Sequence, residues 1–129
     1  MKHDITAYLQ KSHDCLEDTK ILLSNKRYDG AVNRAYYAFF DGIRVLLATK
    51  DIFVKTHSGT HAKFREYFIR TELFPKKYNQ ILEDIYDLRQ GGDYDAEVEI
   101  DEMQAVMAYN GAKEFVQEVE NYLKIQGFL

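Results

Sequence analysis

The chain has 129 residues, 46% of them hydrophobic and 29% charged, with a formal net charge of −4, one proline and one cysteine. That length and balance suit a single globular domain over 1–129 with a core of its own, and no run reaches the roughly 18 apolar residues of a membrane span. Met1 to Thr6 lacks the apolar stretch of a secretory signal, the lone Cys15 excludes an internal disulfide and suits a reducing cytoplasm, and the acidic balance argues against broad charge-driven nucleic-acid binding while leaving room for a small basic site.

In the first segment Ile5, Tyr8, Leu9, Leu16, Thr19, Leu22 and Leu23 recur at three- and four-residue steps, the stripe of an amphipathic helix. Ser24-Asn25-Lys26 is its stop. A second helix is predicted from Tyr28 or Asp29 to about Lys50. Residues 51–59 read as a connection, with Ser58 as N-cap of a third helix carrying Phe64, Tyr67 and Phe68. Pro75 suits the first position of a fourth helix, which places Tyr78, Ile81, Leu82, Ile85 and Leu88 on one side and uses Gly91-Gly92 as its C-terminal cap. Asp101 followed by Gln104 has the form of a capping box for a fifth helix, where Met103, Val106, Met107, Phe115, Val116, Val119, Tyr122 and Leu123 keep helical spacing. No stretch alternates at period two. The fold class is therefore all-α: an up-and-down four-helix bundle with an additional shorter helix.

The second helix is apolar around most of its circumference, so it must be contacted on several sides. At about 100° per residue, Asn33, Arg34, Tyr37, Asp41 and Arg44 gather on one stripe. Ala31, Ala35, Ala38 and Gly42 are small enough to admit neighbouring helices. The stripe reads either as an exposed face with a weak ion pair, worth about 0.3–0.5 kcal/mol, or as the wall of a groove or self-association surface. A second cluster, Arg89, Asp93 and Tyr94, stands at the exit of the fourth helix. There an Arg89–Asp93 pair locking the helix end, with Tyr94 packed over it, is the plain alternative to a binding site.

His57 and His61 are four apart, but Ser58-Gly59 between them implies that they straddle a helix start, and no metal site is expected. Six acids fall in Asp93 to Glu102 without the glycine and ligand order of a calcium loop. Cys15 reads as a small packing residue. No cofactor is expected.

Arg34-Ala-Tyr-Tyr-Ala-Phe-Phe, followed by Arg44-Val-Leu-Leu, resembles the second helix of small bacterial and archaeal HEPN-domain proteins. Tyr28-Asp-Gly-Ala, His57-Ser-Gly, Arg89-Gln-Gly-Gly-Asp-Tyr and Ala112-Lys-Glu-Phe-Val are similar to that group in order and spacing. The resemblance implies a helical bundle that pairs into a homodimer, often as one half of a toxin–antitoxin module whose other half is a minimal nucleotidyltransferase. It further implies a cleft binding RNA or nucleotide, lined here by Arg34, Tyr37, Asp41, Arg44, Arg89, Asp93 and Tyr94. A tyrosine in or near the motif is then a target for nucleotide transfer. Several branches of the family are metal-independent ribonucleases with an arginine followed four to six residues later by a histidine.

This chain departs from that motif. The window after Arg89 holds Tyr94, Asp95 and Ala96 and no histidine. Metal-free RNA cleavage needs a base for the 2′-hydroxyl proton and an acid for the leaving oxygen, each titrating near neutrality. Histidine meets that need; an ordinary tyrosine, at about 10, does not. Arg89 retains the chemistry to hold a phosphate. Binding of RNA, nucleotide or a protein partner is thus favoured over catalysis, with a ribonuclease and a purely structural bundle as the alternatives.

Overall fold

The computed structural model describes residues 2–94, 96–97 and 99–129, without the side chains of Asp93 and Tyr94. The helices in chain order are α1 (Lys2–Ser24), α2 (Tyr28–Ala48), α3 (His57–Phe64), α4 (Lys77–Tyr94) and α5 (Glu102–Ile125), and a π-helical turn over Arg65–Ile69 extends α3. The described residues contain no strand, so the chain is all-α as its periodicity predicts. No helix is long and apolar enough to cross a membrane.

The helix stops share one device. After α1, Lys26 takes φ 57°, the Arg27 amide bonds back to Leu22 at 2.8 Å and that of Lys26 to Leu23 at 3.1 Å. After α2, Asp51 takes φ 59°, with the Ile52 amide on Leu47 at 2.9 Å. After α5, Gly127 takes φ 82°, with the Phe128 amide on Leu123 at 2.8 Å. Each is a left-handed residue closing a six-to-one bond, which satisfies carbonyls the helix leaves open.

The predicted cap at Gly91-Gly92 is not one of these stops: α4 continues through both glycines to Tyr94. A Cβ on Gly92 would stand 2.5 Å from Ile100 Cδ1. The missing side chain at Gly92 thus lets the chain returning toward α5 pass close to α4, rather than supplying a left-handed turn. The third helix likewise starts earlier than predicted. Its N-cap is Thr56, not Ser58, and the Thr56 hydroxyl accepts from the Gly59 amide at 3.0 Å. His57 and His61 therefore lie on one helix, a turn apart, instead of straddling its start.

α2 is the innermost helix and packs against α1, α3, α4 and α5. Ala31, Val32, Ala35, Tyr36, Ala38, Phe39, Ile43 and Val45 are fully buried. Its small residues admit neighbours as expected: a Cβ on Gly42 would lie 3.0 Å from Phe115 Cε2. Phe115 in turn stacks on Phe39, centroids 3.8 Å apart and planes within 5°. The capping box predicted for α5 is present, with the Gln104 amide on Asp101 Oδ1 at 2.8 Å and the Asp101 amide on Gln104 Oε1 at 3.0 Å. The apolar stripe of α5 divides, however. Phe115, Val116, Val119 and Leu123 are buried, whereas Met103 and Met107 are 72% and 65% exposed. In the first turns Ala105 and Ala108 take the core-facing phase, and their small size draws α5 in close.

Candidate functional site

Two elements far apart in sequence meet at Tyr37. Position 37 lies on the polar edge of α2, so its ring leans over the core while its hydroxyl faces outward. Arg89, one turn before the end of α4, donates from Nη2 to Tyr37 Oη at 3.2 Å and from Nη1 to Gln90 Oε1 at 3.3 Å. Its guanidinium carbon lies 5.0 Å from the Tyr36 ring centre and 5.2 Å from that of Tyr37. Stacking a cation on two aromatic faces contributes about 0.5–2 kcal/mol per contact and holds the planar donor fork in one orientation. Arg34 reaches the same ring from its own helix, 5.5 Å from the Tyr37 centre.

Beneath Tyr37 lies a polar cluster that the sequence did not reveal. Tyr36 is fully buried, and its hydroxyl is bonded to His57 Nδ1 at 2.8 Å and to His61 Nε2 at 2.9 Å. One phenol carries one proton, so one imidazole accepts it and the other donates to the oxygen. All three groups are then neutral and satisfied. Burial pushes the Tyr36 hydroxyl well above its ordinary value, against the opposing pull of Arg89. Burial likewise lowers His61 to about 4. His57 is lowered by burial and then by the nearby Arg89 and Arg44. The helical spacing that would suit two metal ligands here serves a shared phenol. Among the described residues no group of three or more His, Cys, Asp and Glu is gathered to hold a metal.

His57 also lines a cleft of about 480 Å³ with Tyr8, Tyr37, Phe40, Arg44, Phe53, Val54 and Lys55. The His57 ring stacks on Phe40, centroids 4.4 Å apart and planes at 18°. Phe53 is 53% exposed although large and apolar, which leaves one aromatic face open beside two cations. Aromatic faces interleaved with Arg44 and Lys55 can stack a base and neutralise a phosphate.

The rest of the predicted stripe is spoken for inside the domain. Asp41 is 6% exposed rather than an outward group. It accepts from Arg44 Nη1 at 3.3 Å, and burial raises its carboxyl above the ordinary value although Arg44 pulls the other way. Arg44 lies over the Tyr8 ring of α1, 4.0 Å from its centre. Arg34 donates to Cys15 Sγ at 2.9 Å and sits 3.7 Å from Asp18 Oδ2, both on α1. The open groove expected along this edge is therefore closed over much of its length by α1, whose small residues Ser12, Cys15 and Thr19 let it pack flush. Tyr37 and Arg44 remain at the cleft and Arg89 joins them through Tyr37. The side chains of Asp93 and Tyr94 lie outside the described residues.

A second cleft of about 460 Å³ between α4 and α5 has a different character. Ile81, Ile85, Leu88 and Met107 line it with Asp84 and Asp87, and no cation does. It suits apolar or basic material and not an anion.

The chain matches the HEPN domain model over residues 5–122. It is 32% identical to a protein of Methanocaldococcus jannaschii named "Putative toxin", over 95% of this chain and 83% of that protein. A second protein of that name from the same organism is 33% identical over 96% and 92% of the two chains. A UPF0332 protein of Thermotoga maritima is 32% identical over 92% and 85%.

Proposed function

This chain belongs to the HEPN domain family, and from that premise we propose that it is the toxin-like member of a nucleotidyltransferase–HEPN module, binding the phosphate of an RNA or nucleotide beside Arg89 and Tyr37. One observation carries the reading: Arg89 is fixed on two tyrosine rings at the edge of a cleft that also presents Arg44, Lys55 and the open face of Phe53. An arginine held this way has lost little further freedom when it grips a phosphate with two parallel bonds. The net charge of −4 confines that attraction to the cleft instead of spreading it over the surface. In the same reading the protein pairs with a second copy and with a nucleotidyltransferase antitoxin, and the exposed Met103 and Met107 on α5 support a protein partner.

The test is direct. A fluorescent single-stranded oligoribonucleotide titrated with the protein gives saturable binding that Arg89→Ala weakens about tenfold or more, the loss of one charge-assisted bidentate contact. Binding unaffected by Arg89→Ala rejects the reading. Light scattering on the eluting protein measures the pairing.

A further inference from the structure

The stretch after Arg89 offers no histidine at the family spacing, yet the fold brings one to the same two tyrosines from another helix. We propose that His57 is the proton acceptor of this site, taking the 2′-hydroxyl proton of a bound single-stranded RNA, with Tyr36 and His61 as positioning residues that hold its ring. The proposal rests on the phosphate-binding reading and adds a reaction to it.

The geometry assigns the role. His57 Nδ1 is tied to Tyr36 Oη, and the ring is clamped against Phe40, so its rotation is fixed. Nε2 is the remaining nitrogen of a ring that lines the cleft, and no described residue bonds it. His61 decides which proton sits where. When Tyr36 donates to His61 Nε2, His57 Nδ1 donates to Tyr36, and Nε2 is left as a bare acceptor facing the substrate. When the two bonds reverse, Nε2 carries the proton. The phenol lets His57 present either form without a net charge below it. Tyr37 stands edge-on to His57, centroids 5.8 Å apart, while its ring carries Arg89 at 5.2 Å. Acceptor and phosphate clamp thus flank one side chain.

The groups around His57 agree. Arg44, Tyr36 and Tyr37 face it from α2, His61 from α3, Lys55 from the preceding connection, Tyr8 from α1 and Arg89 from α4. The cations keep its imidazole neutral near pH 7, the form that accepts a proton. In the step itself His57 Nε2 takes the 2′-hydroxyl proton, the 2′-oxygen forms a bond to phosphorus, and the bond from phosphorus to the 5′-oxygen breaks. That oxygen takes a proton from water, and the imidazolium returns its proton to the hydroxide left behind. The products are a 2′,3′-cyclic phosphate and a 5′-hydroxyl, with no metal in the balance.

A short single-stranded RNA incubated with the purified chain in chelator tests this, with binding and cleavage read separately. Cleavage to a cyclic phosphate that His57→Gln lowers about 100-fold, with RNA binding unchanged, is expected. Tyr36→Phe is expected to shift the pH midpoint of the rate and the His57 titration seen by NMR together. Cleavage indifferent to His57→Gln overturns the proposal, as does binding by the wild-type chain with no cleavage; in both cases phosphate binding survives. Absence of binding defeats the underlying reading instead. If His57→Gln does not fold, the wild-type rate against pH decides: a rate that fails to follow the His57 titration overturns the assignment.

Discussion

Arg89 Nη2 donates to Tyr37 Oη across 3.2 Å, joining the penultimate turn of α4 to the polar edge of α2. The bond ties two segments 52 residues apart in sequence and fixes where the cation stands in the cleft. Tyr37→Phe removes the acceptor but keeps the ring under Arg89. The expected outcome is a loss of about 0.5–1.5 kcal/mol in unfolding free energy, read by urea titration, and RNA binding weakened less than by Arg89→Ala.

The buried cluster makes stability fall in acid. His61 has its folded value lowered to about 4 from 6.5, so the unfolded chain binds a proton first as pH drops. Its contribution is complete above 6.5 and is lost as pH falls toward 4, at most roughly 3 kcal/mol. His57 acts in the same sense. Asp41, raised by burial, acts in the opposite sense, adding stability as pH falls toward 3.8. Urea midpoints at pH 7 and pH 4.5 are expected to differ for the wild-type chain and to differ less for His61→Gln.

The α5 capping box has a defined worth. Asp101→Ala removes the acceptor for the Gln104 amide and is expected to lower unfolding free energy by about 1 kcal/mol. Asp101→Asn, which keeps the cap, is expected to change it little, as thermal melts of both variants can show.

Gly92 separates a helix interior from a cap. At a left-handed cap, alanine is destabilising by about 1 kcal/mol. Within α4 it gains up to about 1 kcal/mol of helix propensity, against a shift of the Ile100 Cδ1 methyl, the far end of a flexible side chain. Gly92→Ala is therefore expected to leave the melting temperature level or raise it.

Much of the bundle was legible because its signals are local. The periodicity of α1, the small residues of α2 and the Asp101–Gln104 pair act within one or two turns, and each stands in the fold as read. The errors lie where a distant neighbour decides. Gly91-Gly92 looked like a stop because glycine favours left-handed turns, but the close passage of Ile100 lies outside any local window. Asp41 looked exposed because the covering of α2 by α1 depends on Ser12, Cys15 and Thr19 being small at the right phase. Tyr36 was read correctly as core, yet nothing near it in sequence announces two histidines 21 and 25 residues on. The Thr56 cap, which outcompeted Ser58, was the local signal that would have put them on one helix.

The most direct test of the site is a side-chain NMR titration with a short single-stranded RNA, following the tyrosine and histidine rings, the arginine Nε–H signals and the methionine methyls. Movement of the Tyr37, His57 and Arg89 signals, with Met103 and Met107 stationary, is the result this account predicts. Movement confined to the methionines of the α4–α5 face, with Tyr37 and Arg89 unmoved, would contradict it.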